Sequence, residues 1–210
     1  STPDGTLTVV DYESEQILLR TGQDRWPLKL RRAISDQGGG APLVRFSPQD
    51  KRLVCGIADN KFVECWDMNT RERFLQPTTR HEHSDSSASA WDFGFGAEGK
   101  HLIISFLFGR PAFLDMSKPE ERFRPFGNEV TDCWTVDVSA DGELYLGAGA
   151  DHDLNIWSTR NFQHVRSLRG HRGEAASAIF TSDGTAVVSA DLYGNIFHWD
   201  LSRATRGRME

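Results

Sequence analysis

Val138-Ser-Ala-Asp-Gly-Glu-Leu-Tyr145 is the stretch on which the reading of the fold turns. An apolar residue, a short polar run holding Asp-Gly, and a return to apolar residues make the pattern of a β-hairpin, because Gly accepts the positive φ of a tight turn. Three more segments share this grammar: Phe46-Ser-Pro-Gln-Asp-Lys-Arg-Leu53, Phe95-Gly-Ala-Glu-Gly-Lys-His-Leu102 and Phe180-Thr-Ser-Asp-Gly-Thr-Ala-Val187. In chain order the first residues of the four lie 49, 43 and 42 apart. A second landmark follows each hairpin: Cys65-Trp66-Asp67-Met68, Phe113-Leu114-Asp115-Met116, Ile156-Trp157-Ser158-Thr159 and His198-Trp199-Asp200-Leu201, at intervals of 48, 43 and 42. Two landmarks in one register define a repeat of ~40–45 residues.

Within a period the apolar segments come in threes, followed by a shorter fourth, as at residues 132–138, 143–149, 154–157 and 164–168. Four antiparallel strands joined by short turns make a small twisted sheet whose two faces must both be covered, and radial stacking of such sheets covers them.

The Trp-Asp pairs at Trp66-Asp67 and Trp199-Asp200, the Asp-Gly turns, the period, and Gly170-His171 ahead of Ala178-Ile-Phe180 resemble the WD-repeat β-propeller family over nearly the whole chain. The resemblance implies an all-β fold: a partial or open propeller of four-stranded antiparallel blades, a segment of a larger propeller. It divides the chain into the end of an incomplete blade with a connector (1–34), three blades (35–85, 86–127 and 128–169), and a last blade with a C-terminal tail (170–210). Residues 4–11 resemble a blade's third strand and 16–20 its fourth, so the chain is expected to begin in mid-repeat. Four repeats and a fragment are fewer than the about seven blades usual in the family. Open edges and faces invite association, so completion by missing blades, by a partner or by a second copy is expected.

Members of that family tie a blade together with a buried hydrogen-bond network of His, Ser or Thr, Asp and Trp. His171, Ser189 and Trp199 match in the last repeat, but Tyr193 stands six residues before the Trp, where the Asp is expected. In the preceding repeat Asp151 and Trp157 match, while Gly147 holds the serine position. On this reading no repeat carries the full set, and the blades rely on packing instead.

Composition excludes several functions. Hydrophobic residues at 38% and charged residues at 26% place the chain among globular proteins, and no apolar run approaches the ~18 residues that cross a bilayer. A formal charge of −6 argues against nucleic acid and anionic membranes as partners. Three cysteines are too few for a disulfide framework and point to a reducing compartment, the cytoplasm or the nucleus. Cys55 and Cys65 would lie opposite or nearly so if Asp59-Asn60 turns the hairpin between them, and read as reduced, packed thiols. Trp91, Trp134, Phe93 and Phe180 read as packing between blades.

No catalytic, cofactor or metal site emerges. Gly38-Gly39-Gly40 lacks the Gly-Lys-Ser or Gly-Lys-Thr of a phosphate loop and reads as a surface loop. His81-Glu82-His83 with Asp85 offers metal-ligand types without helical i, i+4 spacing, inside a polar connector. Ser, His and Asp are too frequent for any triad to stand out. Residues 25–32 alternate basic side chains with Trp26, Leu28 and Leu30, a solvated face more than a phosphate-binding one; a nucleic-acid contact there is the weakest of three functional readings. The leading one is a non-catalytic scaffold for protein or peptide partners, with Arg110, His152, Asp153, Arg172 and Tyr193 as loop contacts. The other makes the chain the regulatory or sensor segment of a larger multidomain enzyme, such as a kinase or a nucleotide-driven switch.

Overall fold

The computed structural model describes residues 7–11, 16–21, 24–29, 43–47, 52–57, 62–67, 69–75, 89–96, 99–107, 109–118, 121, 123–127 and 133–202, and among them every regular element is a β-strand. The glycine loop at 38–40, the connector holding His81 to Asp85, and the tail beyond Ser202 lie outside the described residues.

Strands β1 (Leu7–Asp11), β2 (Gln16–Thr21) and β3 (Asp24–Lys29) form a three-stranded meander. The basic stretch, which the sequence leaves as a strand or a connector, begins with a third strand, pairing Ile17 with Leu28 and Leu19 with Trp26. The alternation at Trp26 and Leu28 is the period of a strand, and Pro27 suits an edge because it has no N–H to give. The Arg71 guanidinium lies 4.2 Å over the Trp26 ring, so a turn of the next sheet covers this indole.

Four further antiparallel sheets follow. The first contains β4 (Leu43–Phe46), β5 (Arg52–Ile57), β6 (Phe62–Asp67) and β7 (Arg73–Leu75). The second contains β8 (Ser89–Gly96), β9 (His101–Leu107), β10 (Ala112–Asp115) and β11 (Arg124–Pro125). The third contains β12 (Cys133–Val138), β13 (Leu144–Gly149), β14 (Leu154–Ser158) and β15 (His164–Leu168). Strands β16 (Ala175–Phe180), β17 (Ala186–Asp191) and β18 (Ile196–Asp200) make the last sheet, three-stranded among the described residues.

The ends of all four hairpin segments pair as the sequence pattern requires: Phe46 with Leu53, Phe95 with Leu102, Val138 with Tyr145, and Phe180 with Val187. Gly142 and Gly184 hold φ of 73° and 68° in the two Asp-Gly turns, a region that a side chain would strain. Trp66, Trp157 and Trp199 sit on third strands. The Asp after a landmark residue shapes the following turn. Asp67 Oδ1 accepts the amides of Asn69 and Thr70 at 2.7 and 3.0 Å, and Asp200 Oδ1 accepts that of Ser202 at 2.9 Å.

The apolar cores lie between successive sheets, since a sheet buried on both faces needs a neighbour on each side. Cys65 packs with Phe93, Leu102, Ile104 and Leu114 between the first and second of the four. Ile103, Val136, Tyr145 and Trp157 fill the next interface, and Leu146, Ile156, Ala178, Phe180 and Val187 the one after. Phe93 and Phe180 are thus packing residues between sheets, as expected. The register pairs Cys55 with Glu64 and Cys65 with Val54, so the two cysteines lie one place apart on adjacent strands, nearly opposite as the sequence suggests.

Polar links join the innermost strands across these interfaces. Arg45 on β4 reaches Asp92 on β8 at 3.3 Å. Asp92 Oδ2 accepts the amide of Val136 on β12 at 3.0 Å, and Asp137 Oδ2 accepts that of Phe180 on β16 at 2.7 Å. Burial raises both carboxyls above their ordinary range, against the opposing pull of these amides and of Arg45.

Candidate functional site

In each four-stranded antiparallel sheet the turn between the second and third strands and the exit to the following sheet lie at the same end. Topology therefore gathers the five loop residues singled out in the sequence on one rim: Arg110 between β9 and β10, His152 and Asp153 between β13 and β14, Arg172 between β15 and β16, and Tyr193 between β17 and β18. Arg110 Nη1 donates to the Gly127 carbonyl at 3.2 Å, and Arg169 Nε pairs with Asp153 Oδ2 at 2.9 Å, which pins two of these loops. His152 adopts a φ of 64° and is exposed. Arg172 is exposed too, and Tyr193 is 76% exposed beside the exposed Leu192. The Tyr193 ring lies so close over Gly173 that a Cβ there would sit 2.6 Å from it.

What holds this part of the rim is a buried network that overturns the expectation that no repeat carries the full set. Trp199 Nε1 donates to Ser189 Oγ at 2.7 Å. Ser189 Oγ lies 2.7 Å from His171 Nε2, and His171 Nδ1 lies 3.1 Å from Asp191 Oδ2, with both side chains of that last pair fully buried. A single direction satisfies every donor: the indole N–H to the hydroxyl, the hydroxyl to Nε2, and Nδ1–H to the carboxylate. The His171 ring also meets Phe197 edge-on at 4.4 Å. Asp191, eight residues before the Trp, fills the role sought at Tyr193. It stands two residues from Ser189 on one strand, so both side chains leave the same face and converge on His171. In the preceding sheet the expectation holds, because Gly147 offers no hydroxyl to Trp157 and a Cβ there would fall 2.6 Å from Cys133 Sγ.

The Asp191 carboxylate also accepts the amides of Tyr193 and Asn195 at 3.0 and 2.9 Å and the Asn195 side-chain amide at 3.0 Å, which fixes the turn that carries Tyr193. Burial opposes ionisation here, but the donors from Asn195, His171 and Tyr193 outweigh it and hold the carboxyl down at about 2. A carboxyl depressed in the folded state stabilises the fold above its unfolded value of ~3.9, and that contribution is lost as pH falls towards about 2. The expected result is a loss of stability of the last sheet between about pH 4 and 2 that the Asp191→Asn variant lacks. Asp92 and Asp137 act in the opposite sense, so the difference between the two proteins in acid unfolding followed by tryptophan fluorescence isolates Asp191.

No group of three or more His, Cys, Asp or Glu arranged to hold a metal occurs among the described residues. Cys65 and Cys133 are buried, and burial pushes the Cys133 thiol up to about 12, which disfavours its thiolate.

Residues 162–200 match the family model described as WD domain, G-beta repeat. The chain is 25% identical over 167 residues to transcription initiation factor TFIID subunit 5 of Caenorhabditis elegans, covering 79% of this chain and 24% of that protein. It is 29% identical over 157 residues to cilia- and flagella-associated protein 57 of Mus musculus, covering 74% and 12%. With the serine-threonine kinase receptor-associated protein of Gallus gallus it shares 22% over 202 residues, covering 92% and 54%. The chain thus spans between about an eighth and about half of the length of these relatives.

Proposed function

The chain belongs to the WD-repeat family, and from that premise we propose that it is a non-catalytic scaffold that binds protein or peptide partners through one rim of its sheets. The carrying observation is the convergence of Arg110, His152, Asp153, Arg172 and Tyr193 on that rim, with Tyr193 exposed on a turn fixed by Asp191. Aromatic and arginine side chains on a rigid support favour binding, because little freedom is lost when a partner docks. The names of the relatives, a subunit of a transcription factor and a receptor-associated protein, accord with a role in assemblies. A reducing compartment, cytoplasmic or nuclear, is part of the same proposal, in keeping with the two buried thiols.

The test is site-specific photocrosslinking in cells from positions 110, 152, 172 and 193 on this rim and from 141 and 183 on the other. The same partner captured from at least two positions of the first rim, and lost when Arg172 and Tyr193 are both replaced by Ala, is the expected outcome. Capture only from positions 141 and 183, or none above background, overturns the proposal.

A second reading makes this chain the regulatory segment of a longer multidomain protein, favoured by the small share of the first two relatives that it covers. The mass of the native protein, read by immunoblot with an antibody to this segment, decides it: a band near 23.6 kDa speaks against it, and a much larger one supports it.

A further inference from the structure

Beside the β12–β15 sheet lies a cleft of about 460 Å³, within the ~300–1,000 Å³ range of ligand sites. Its walls come from two sheets: Pro111 and Gly127 from the second, Asp151, Asn155, Trp157 and Ser167 from the third. Three observations make it a built site.

Trp157 is only 5% exposed, yet its indole N–H, unlike that of Trp199, has no acceptor among the described residues. It points towards Gly127, where a Cβ would stand 3.8 Å from Nε1, and both residues line the cleft. An indole N–H that lines a cleft without an acceptor in the protein is free to donate to an incoming carbonyl oxygen. Asp151 is the second observation. Its Oδ2 accepts from Asn155 Nδ2 at 3.1 Å, and among the described residues no ion pair is made to it, whereas Arg169, on the same cleft, is engaged by the neighbouring Asp153. Burial, then the Asp153 carboxylate, raises the Asp151 carboxyl above its ordinary range, which is the signature of an acid short of a positive partner. The third is orientation. Ser167 Oγ donates to Asn155 Oδ1 at 2.7 Å and His164 Nε2 lies 3.1 Å from Ser167 Oγ, so the polar wall is held in place before any ligand arrives.

We infer that this cleft binds an extended peptide of a partner protein, seating an arginine side chain against Asp151 while a peptide carbonyl accepts the Trp157 indole N–H. Arginine fits better than lysine because its planar fork meets a carboxylate with two donors and lies flat against aromatic walls, here those of Trp157 and Phe162. The inference rests on the scaffold reading and gives it a contact of defined chemistry that adjoins the rim at Asp153.

The experiment is a nuclear magnetic resonance titration of the ¹⁵N-labelled chain with an acetylated, amidated alanine pentapeptide carrying a central arginine. The control peptide carries citrulline, which has the same shape without the charge. The Trp157 indole resonance is assigned by Trp157→Phe, and the Trp199 resonance, bonded inside the last sheet, reports that the fold is intact. Saturable movement of the Trp157 resonance is expected, weakened about tenfold by citrulline and about tenfold by Asp151→Asn, with Trp199 unmoved. An unmoved Trp157 resonance, or equal binding by the citrulline peptide or the variant, overturns the inference. Partner crosslinking from the rim that persists in Asp151→Asn would refute the cleft and leave the scaffold reading standing. Crosslinking absent from the rim while the titration succeeds would do the reverse.

Discussion

Replacing His171 by Ala lowers the stability of the last sheet by about 2–4 kcal/mol, whereas Tyr193→Ala costs less than about 1 kcal/mol. The first substitution leaves the buried Ser189 O–H without its acceptor and takes one donor from the buried Asp191 carboxylate, which keeps those from Tyr193 and Asn195. A buried polar group left without a partner costs ~1–3 kcal/mol, and the vacated ring also loses its edge contact with Phe197. Tyr193 is largely in water, so its removal frees little more than its contact with Gly173. Urea unfolding followed by tryptophan fluorescence gives both numbers. The reverse ranking would mean that the carboxylate partner is unimportant and that the aromatic rim residue holds the turn.

Gly147→Ser, which writes the missing hydroxyl into the third sheet, destabilises the protein by about 1–3 kcal/mol instead of completing a second network. The new Cβ would stand 2.6 Å from Cys133 Sγ and 3.1 Å from a carbon of the Trp157 ring, and both neighbours are buried. Neither is the free end of a long side chain, so the sheet must shift to admit it. Cys133→Ala removes the sulfur, and the double variant is expected to recover part of the loss while the single cysteine change costs less than the serine. A stabilising Gly147→Ser would show that this interface has slack that the packing does not indicate.

How much of this could be read in advance depended on whether the signal was local. The hairpins were legible because Asp141-Gly142 and Asp183-Gly184 are local turn chemistry, and the registers followed from them as far as the shifts at Cys133/Thr135 and Ala175/Ser177. The buried network was misread for an instructive reason. Counting a fixed six residues back from Trp199 leads to Tyr193, whereas the relevant rule was the two-residue period of a strand, which puts Asp191 on the face of Ser189. The placing of Cys55 and Cys65 was legible to within one place, since the register sets Cys55 against Glu64 and Cys65 against Val54. The strand at Asp24 was legible only as one of two alternatives, because its charges and Pro27 suit an edge strand as well as a connector. Nothing local announced the cleft, since Pro111 and Asp151 are brought together only by the packing of one sheet on the next.

The links through Arg45, Asp92, Val136, Asp137 and Phe180 tie each inner strand to the one after it. A row of units joined this way behaves as coupled two-state elements, in which the free energy of opening one depends on whether its neighbours are closed. An excursion at the β12–β15 sheet breaks bonds on both of its sides, so it tends to spread to the adjoining units instead of staying confined. Ligands that clamp any single unit are then felt along the row with an influence that decays unit by unit, and occupancy at one place is reported at another without any change of shape in between.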